Sequence, residues 1–91
     1  MISPLFDGGK IVATPAALDV LDQAGISYAS LLDRHFAGDW GNLVDEDKEE
    51  NSFSIKNGFR ILSSYDTTAG TLWIITEADR STTTLLRPED Y

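Results

Sequence analysis

The sequence has no cysteine, one methionine, one histidine and three prolines among its 91 residues. Without cysteine there is no disulfide framework, no thiolate-held zinc or iron–sulfur site and no thiol catalysis. Positive charge is also scarce: seven Lys and Arg stand against fifteen Asp and Glu, for a net charge of −8. That balance argues against a chain that coats nucleic acid or a basic helix that lies on a membrane. No apolar run approaches the roughly 18 residues of a membrane span, and no basic stretch with an apolar core marks a secretory leader.

Hydrophobic residues at 42 % and charged residues at 24 % place the chain among globular proteins. Residues 1–91 are expected to form a single soluble, cytoplasmic domain, because no repeat or low-complexity tract offers a boundary. Such a short chain buries only a modest share of its surface, so it holds one two-layer core.

After a loop from Pro4 to Gly9, the short apolar run Lys10–Ala13 is too brief to stand alone. It can add to a sheet edge or lie across a helix. Thr14 is a good N-cap, Pro15 suits the first helical position, and Ala17, Val20, Leu21 and Ala24 recur at helical spacing before Gly25. A second helix is expected over Ser27–Ala37, with Tyr28, Leu31, Leu32, His35 and Phe36 on one arc. Asp45 is placed to cap a third helix. Its end is ambiguous: it runs to Asn57-Gly58, or Phe53 and Ile55 alternate as a strand before a hairpin at that dipeptide. The helical alternative is preferred.

The last third reads as β-structure. Phe59–Tyr65 places Phe59, Ile61 and Tyr65 on one face, a turn spans Asp66–Gly70, and Thr71–Glu77 carries apolar pairs on both faces. Thr82–Leu86 is a third strand, left as an uncovered edge, and Pro88 ends pairing. The expected fold is a two-layer α+β domain, with two to three helices on one face of a three- or four-stranded antiparallel meander.

Two stretches, Arg34-His35-Phe36-Ala37-Gly38-Asp39-Trp40-Gly41 and Ile74-Ile75-Thr76-Glu77-Ala78-Asp79-Arg80-Ser81-Thr82-Thr83, together with Asp45-Glu46-Asp47 and Pro88-Glu89-Asp90-Tyr91, resemble a family of small "plasmid-related" bacterial proteins. These are spread among proteobacteria and mobile elements, and the resemblance covers Leu31 to Tyr91. It implies a dispensable accessory protein carried on a mobile element. Some relatives bear the label of a type I restriction methyltransferase subunit. That label does not fit this chain, which lacks a glycine-rich cofactor turn and an Asn/Asp-Pro-Pro-aromatic loop. Arg87 stands where the family pattern suggests an apolar residue, so a looser tail is expected.

His35 has two readings: a general base oriented by Asp39, or a packed histidine at the core edge. The second is preferred, because no nucleophile–base–orienter set stands out. Trp40, in the turn Gly38–Asn42, is either an exposed interface anchor beside Asp39 or a cover for the helix pair. Residues 33–50 hold seven acids, including Asp45, Glu46, Asp47, Glu49 and Glu50, against Arg34 and Lys48. Such a face can mimic nucleic-acid phosphates toward a basic partner, or it can be a solvated helix start. A calcium loop fails because Glu50 replaces the required glycine and Lys56 the closing glutamate. Metal-type spacing of Asp39, Glu46 and Lys48 is near chance. Around the last turn, Glu77, Asp79 and Arg80 are candidates for a charged ligand, or they satisfy one another.

The sequence thus points to a non-catalytic interaction module with no cofactor and no metal. It is expected to act on a basic, nucleic-acid-binding host or defence protein, with no direct nucleic-acid binding and no membrane partner expected. The alternative is a small regulatory or ligand-binding domain using the Glu77–Arg80 turn. Self-association through an open strand edge or an exposed Trp40 or Trp73 is a reasonable expectation.

Overall fold

Capping chemistry fixes the helices of the computed structural model, which describes residues 4–91. The Thr14 hydroxyl accepts the Ala17 N–H at 3.1 Å, Pro15 opens α1 (Pro15–Ala24), and Gly25 closes it in the left-handed region. Ser27 caps α2 (Tyr28–Phe36) by accepting the Ser30 N–H. The third helix, α3 (Asp45–Asn57), is continuous to Gly58, which settles the ambiguity in favour of the helix. Its N-cap is Val44 and not Asp45, so no side chain caps it. Asp45, Glu46 and Asp47 occupy its first turn instead, where carboxylates favour the positive helix end.

The α+β two-layer fold is as expected, but its sheet is mixed. Lys10–Ala13 forms β1, and β2 (Ile61–Thr67), β3 (Gly70–Thr76) and β4 (Thr82–Leu86) complete the order β1-β4-β3-β2. β2, β3 and β4 are antiparallel neighbours, whereas β1 runs parallel to β4, with Lys10 opposite Thr82 and Ala13 opposite Leu85. The strictly antiparallel meander is corrected on that point. β4 is therefore interior and not an uncovered edge, which removes it as a pairing edge for a dimer. The turn expected over Asp66–Gly70 contracts to Thr68-Ala69, because Thr67 already pairs with Gly70. Phe59 precedes β2 and does not share its buried face.

Tyr65, Leu72, Ile74 and Leu85 share one face of the sheet and pack against Ala17, Val20 and Leu21 of α1 and Leu31 and Leu32 of α2. Burying each large aliphatic side chain is worth roughly 1.5–3 kcal/mol. On the other face Trp73 is half-buried and meets Tyr91 edge-on at 5.9 Å. Arg87 does not loosen the tail. It clamps Asp90 at 2.9 Å, and Asp90 also accepts the Thr14 hydroxyl, tying a short 3-10 turn (Pro88–Asp90) to the start of α1. These bonds, above all that from Arg87, hold the Asp90 carboxyl far below the usual carboxylate range.

The β2 edge is closed by side chains and loop. The Asn51 amide of α3 accepts the Leu62 N–H at 3.1 Å and donates to the Leu62 carbonyl at 2.6 Å, as a neighbouring strand would. Further along, Ser64 donates to the Trp40 carbonyl and accepts from Asn42 N–H, and Asp66 N–H reaches the Asn42 side chain. Gly41 permits this approach: its φ is +73°, and a Cβ there would lie 2.1 Å from the Ser64 oxygen. Edge-to-edge pairing is blocked along that side. Among the described residues, no helix is long and apolar enough to cross a membrane.

Candidate functional site

Two separate arrangements concentrate polar chemistry, one buried and one open. The buried one centres on His35, which α2 directs into the sheet at 0 % exposure. Its Nδ1 pairs with the Ser63 hydroxyl and its Nε2 lies 2.9 Å from the Thr76 hydroxyl. Thr76 in turn meets Thr83 at 2.8 Å, and Thr83 donates to the Gly8 carbonyl at 2.8 Å. Because a carbonyl only accepts, the proton directions along the row are fixed. Thr83 gives its proton to Gly8, so Thr76 donates to Thr83 and must accept from His35 Nε2–H. Nδ1 is then the acceptor, and Ser63 donates to it. Every group is satisfied with a neutral imidazole.

Phe6, Phe36 and Trp40 surround the same ring at centroid distances of 5.3, 5.4 and 5.8 Å. Burial in this cage pushes His35 down to about 4. A Ser–His pair exists here, but Ser63, Thr76 and Thr83 are also fully buried, so the pair is closed off from the surface. Asp39 does not orient the imidazole. Its carboxylate takes a two-pronged contact from Arg34, at 2.7 and 3.3 Å, and accepts the Gly41 N–H. The Arg34 bond above all holds the Asp39 carboxyl below its ordinary value. The Asp39 carbonyl accepts from Tyr65, whose hydroxyl burial pushes up to about 12. Trp40 is 6 % exposed and is not a surface anchor, since it fills the cage beside Phe6.

The Glu77–Arg80 turn is also committed internally. Arg80 holds φ at +62°, and its guanidinium donates to the carbonyls of Phe59 at 2.7 Å, Ser54 at 3.0 Å, Glu77 at 3.1 Å and Ala78 at 3.2 Å. It joins the β3–β4 turn to the end of α3, where cations favour the helix dipole. Asp79 accepts both the hydroxyl and the N–H of Ser81, and these bonds lower its carboxyl. The turn satisfies itself, though through backbone carbonyls and not through the expected Arg80–carboxylate pair. Glu77 is exposed.

The open arrangement is a groove of about 550 Å³ between α3 and the start of β2. Leu43, Phe53, Phe59 and Leu62 supply its apolar lining, and Asp47, Glu50 and Arg60 its charge. Phe53 and Phe59 are 57 % and 52 % exposed, with rings near-parallel at 9° and centroids 5.8 Å apart. Asp45, Glu46 and Glu49 are exposed on the same helix but do not line the groove. Among the described residues, none of these five carboxylates joins a salt bridge. From sequence, Phe53 and Phe59 figure only in the fold and not in a site, although a signal is present. Two residues apart on a helix lie about 200° apart, so Phe53 and Ile55 cannot both face the core. Ile55 packs inward beside Trp40 and Ile61.

Among the described residues, no cluster of three His, Asp or Glu is placed to hold a metal. Compared with protein-family models, with curated proteins and with solved structures, the chain matches none.

Proposed function

We propose that this chain is a non-catalytic protein-interaction module that binds a basic protein through the α3 face. The observation that carries the reading is the groove itself. Exposed Phe53 and Phe59 provide the apolar anchor area of an interface, and the acids around them, in no salt bridge among the described residues, provide its charge preference. A patch of this kind selects a partner that presents apolar surface rimmed by Lys and Arg. Proteins that bind nucleic acid carry such surfaces, and a row of carboxylates competes with phosphates for them. The likeness to small plasmid-related proteins adds a setting: an accessory of mobile-element origin, acting in the cytoplasm on a host or defence protein.

The test is capture of partners from bacterial lysate by the tagged chain, at about 50 mM and about 500 mM salt. A variant with Glu46→Gln, Asp47→Asn, Glu49→Gln and Glu50→Gln runs alongside. The reading requires a basic protein that is held at low salt, released at high salt and missed by the variant. Equal capture by the variant refutes it.

A further inference from the structure

We infer that the groove between α3 and β2 receives an arginine side chain of that basic partner; this rests on the reading above. Three features of the groove converge on a guanidinium. The near-parallel rings of Phe53 and Phe59 offer flat, half-exposed aromatic surface. Asp47 and Glu50, one helical turn apart, both line the same space. Leu43 and Leu62 add apolar surface that suits an aliphatic stem. An ammonium is compact and strongly hydrated, and it gains little from a flat aromatic wall. A guanidinium stacks on aromatic faces and presents a planar fork of donors to carboxylates.

Among the described residues, no cation of the protein itself forms a salt bridge with these carboxylates. Arg60 lines the groove, but its guanidinium donates to the Tyr91 hydroxyl and lies 5.3 Å over the Tyr91 ring. Lys48 and Lys56 belong to α3 yet do not line the groove. Among the described residues, therefore, these two carboxylates line an aromatic wall with no internal counter-charge in a salt bridge. A neutral apolar plug would leave them facing it unpaired, and a bare charge would leave the rings uncovered. Arginine answers both.

A short glycine–serine peptide with a central arginine is the probe, compared with the same peptide carrying lysine or citrulline. Binding is followed by amide shifts of the isotope-labelled full chain. The arginine peptide is expected to move the signals of Asn51, Phe53, Phe59 and Leu62. It should bind about three- to tenfold more tightly than the lysine peptide, with citrulline showing no binding. Phe53→Ala with Phe59→Ala should erase the arginine-over-lysine preference, and Asp47→Asn with Glu50→Gln should abolish binding of both. These four side chains are exposed, so the variants keep the fold, which far-UV circular dichroism verifies. Equal binding of arginine and lysine, shifts located outside the groove, or no binding would each overturn the inference. The wider reading fails separately, when the variant neutralised along α3 still captures the basic partner.

Discussion

Acidification from neutral pH towards about 4 should destabilise this protein chiefly through its one histidine. The native His35 is neutral, with Nε2–H donated to Thr76 and Nδ1 accepting from Ser63, and burial pushes its titration from the ordinary 6.5 to about 4. Between those values the unfolded chain binds more protons than the native one. Stability is therefore complete above 6.5 and is lost as the pH falls through that window. At about 1.4 kcal/mol per pH unit, the loss is about 2 kcal/mol at pH ~5 and about 3 kcal/mol at pH ~4. The assay is urea unfolding at a series of pH values for the native chain and for His35→Gln. Glutamine retains a donor and an acceptor but does not titrate, so carboxylate effects cancel in the comparison. The advantage of the native chain over the variant should shrink by about 2 kcal/mol between pH ~7.5 and pH ~5. An unchanged difference, or an imidazole that titrates near 6.5 in the native state by NMR, would refute the neutral cage.

Asn51→Leu removes both bonds to Leu62 and leaves a strand edge unsatisfied. It should cost about 1–3 kcal/mol in chemical denaturation and bring concentration-dependent aggregation in light scattering. Gly41→Ala forces a Cβ against the Ser64 oxygen at positive φ, and a loss of about 2 kcal/mol or more in thermal unfolding is expected. Arg80→Ala should lower stability by about 1–3 kcal/mol while leaving partner capture intact, measured by unfolding and pull-down in parallel. Neutralising Glu49 and Glu50 should do the opposite: stability within about 0.5 kcal/mol of the native chain and capture lost.

Local chemistry made the first two helices legible, because Thr14, Pro15, Gly25 and Ser27 act within one turn of their own positions. The place of Lys10–Ala13 was not legible to the same degree. Its partner, Thr82–Leu85, lies some seventy residues away, and nothing in four residues encodes a parallel orientation. Sequence separation, of 28 and 41 residues, likewise hid the surroundings of His35. Its place on the apolar arc of α2 followed from spacing, but Ser63 and Thr76 come from strands whose register only the folded sheet defines. From sequence Trp40 leans towards packing and the Arg80 turn towards an interaction role, and the two resolve differently. Burial decided the first, and four backbone carbonyls decided the second. At α3, charge density was visible in the sequence, whereas the aromatic half of the groove depended on whether Phe53 belonged to a helix or a strand.

The central claim is that partners meet the α3 face. The most direct measurement is the amide spectrum of the isotope-labelled chain with and without the basic protein it captures. Changes confined to Leu43–Leu62, strongest at Asp47, Glu50, Phe53 and Phe59, are the predicted result. Changes centred on the unpaired edge of β1, or on Trp73 and Tyr91 across the sheet, would contradict it.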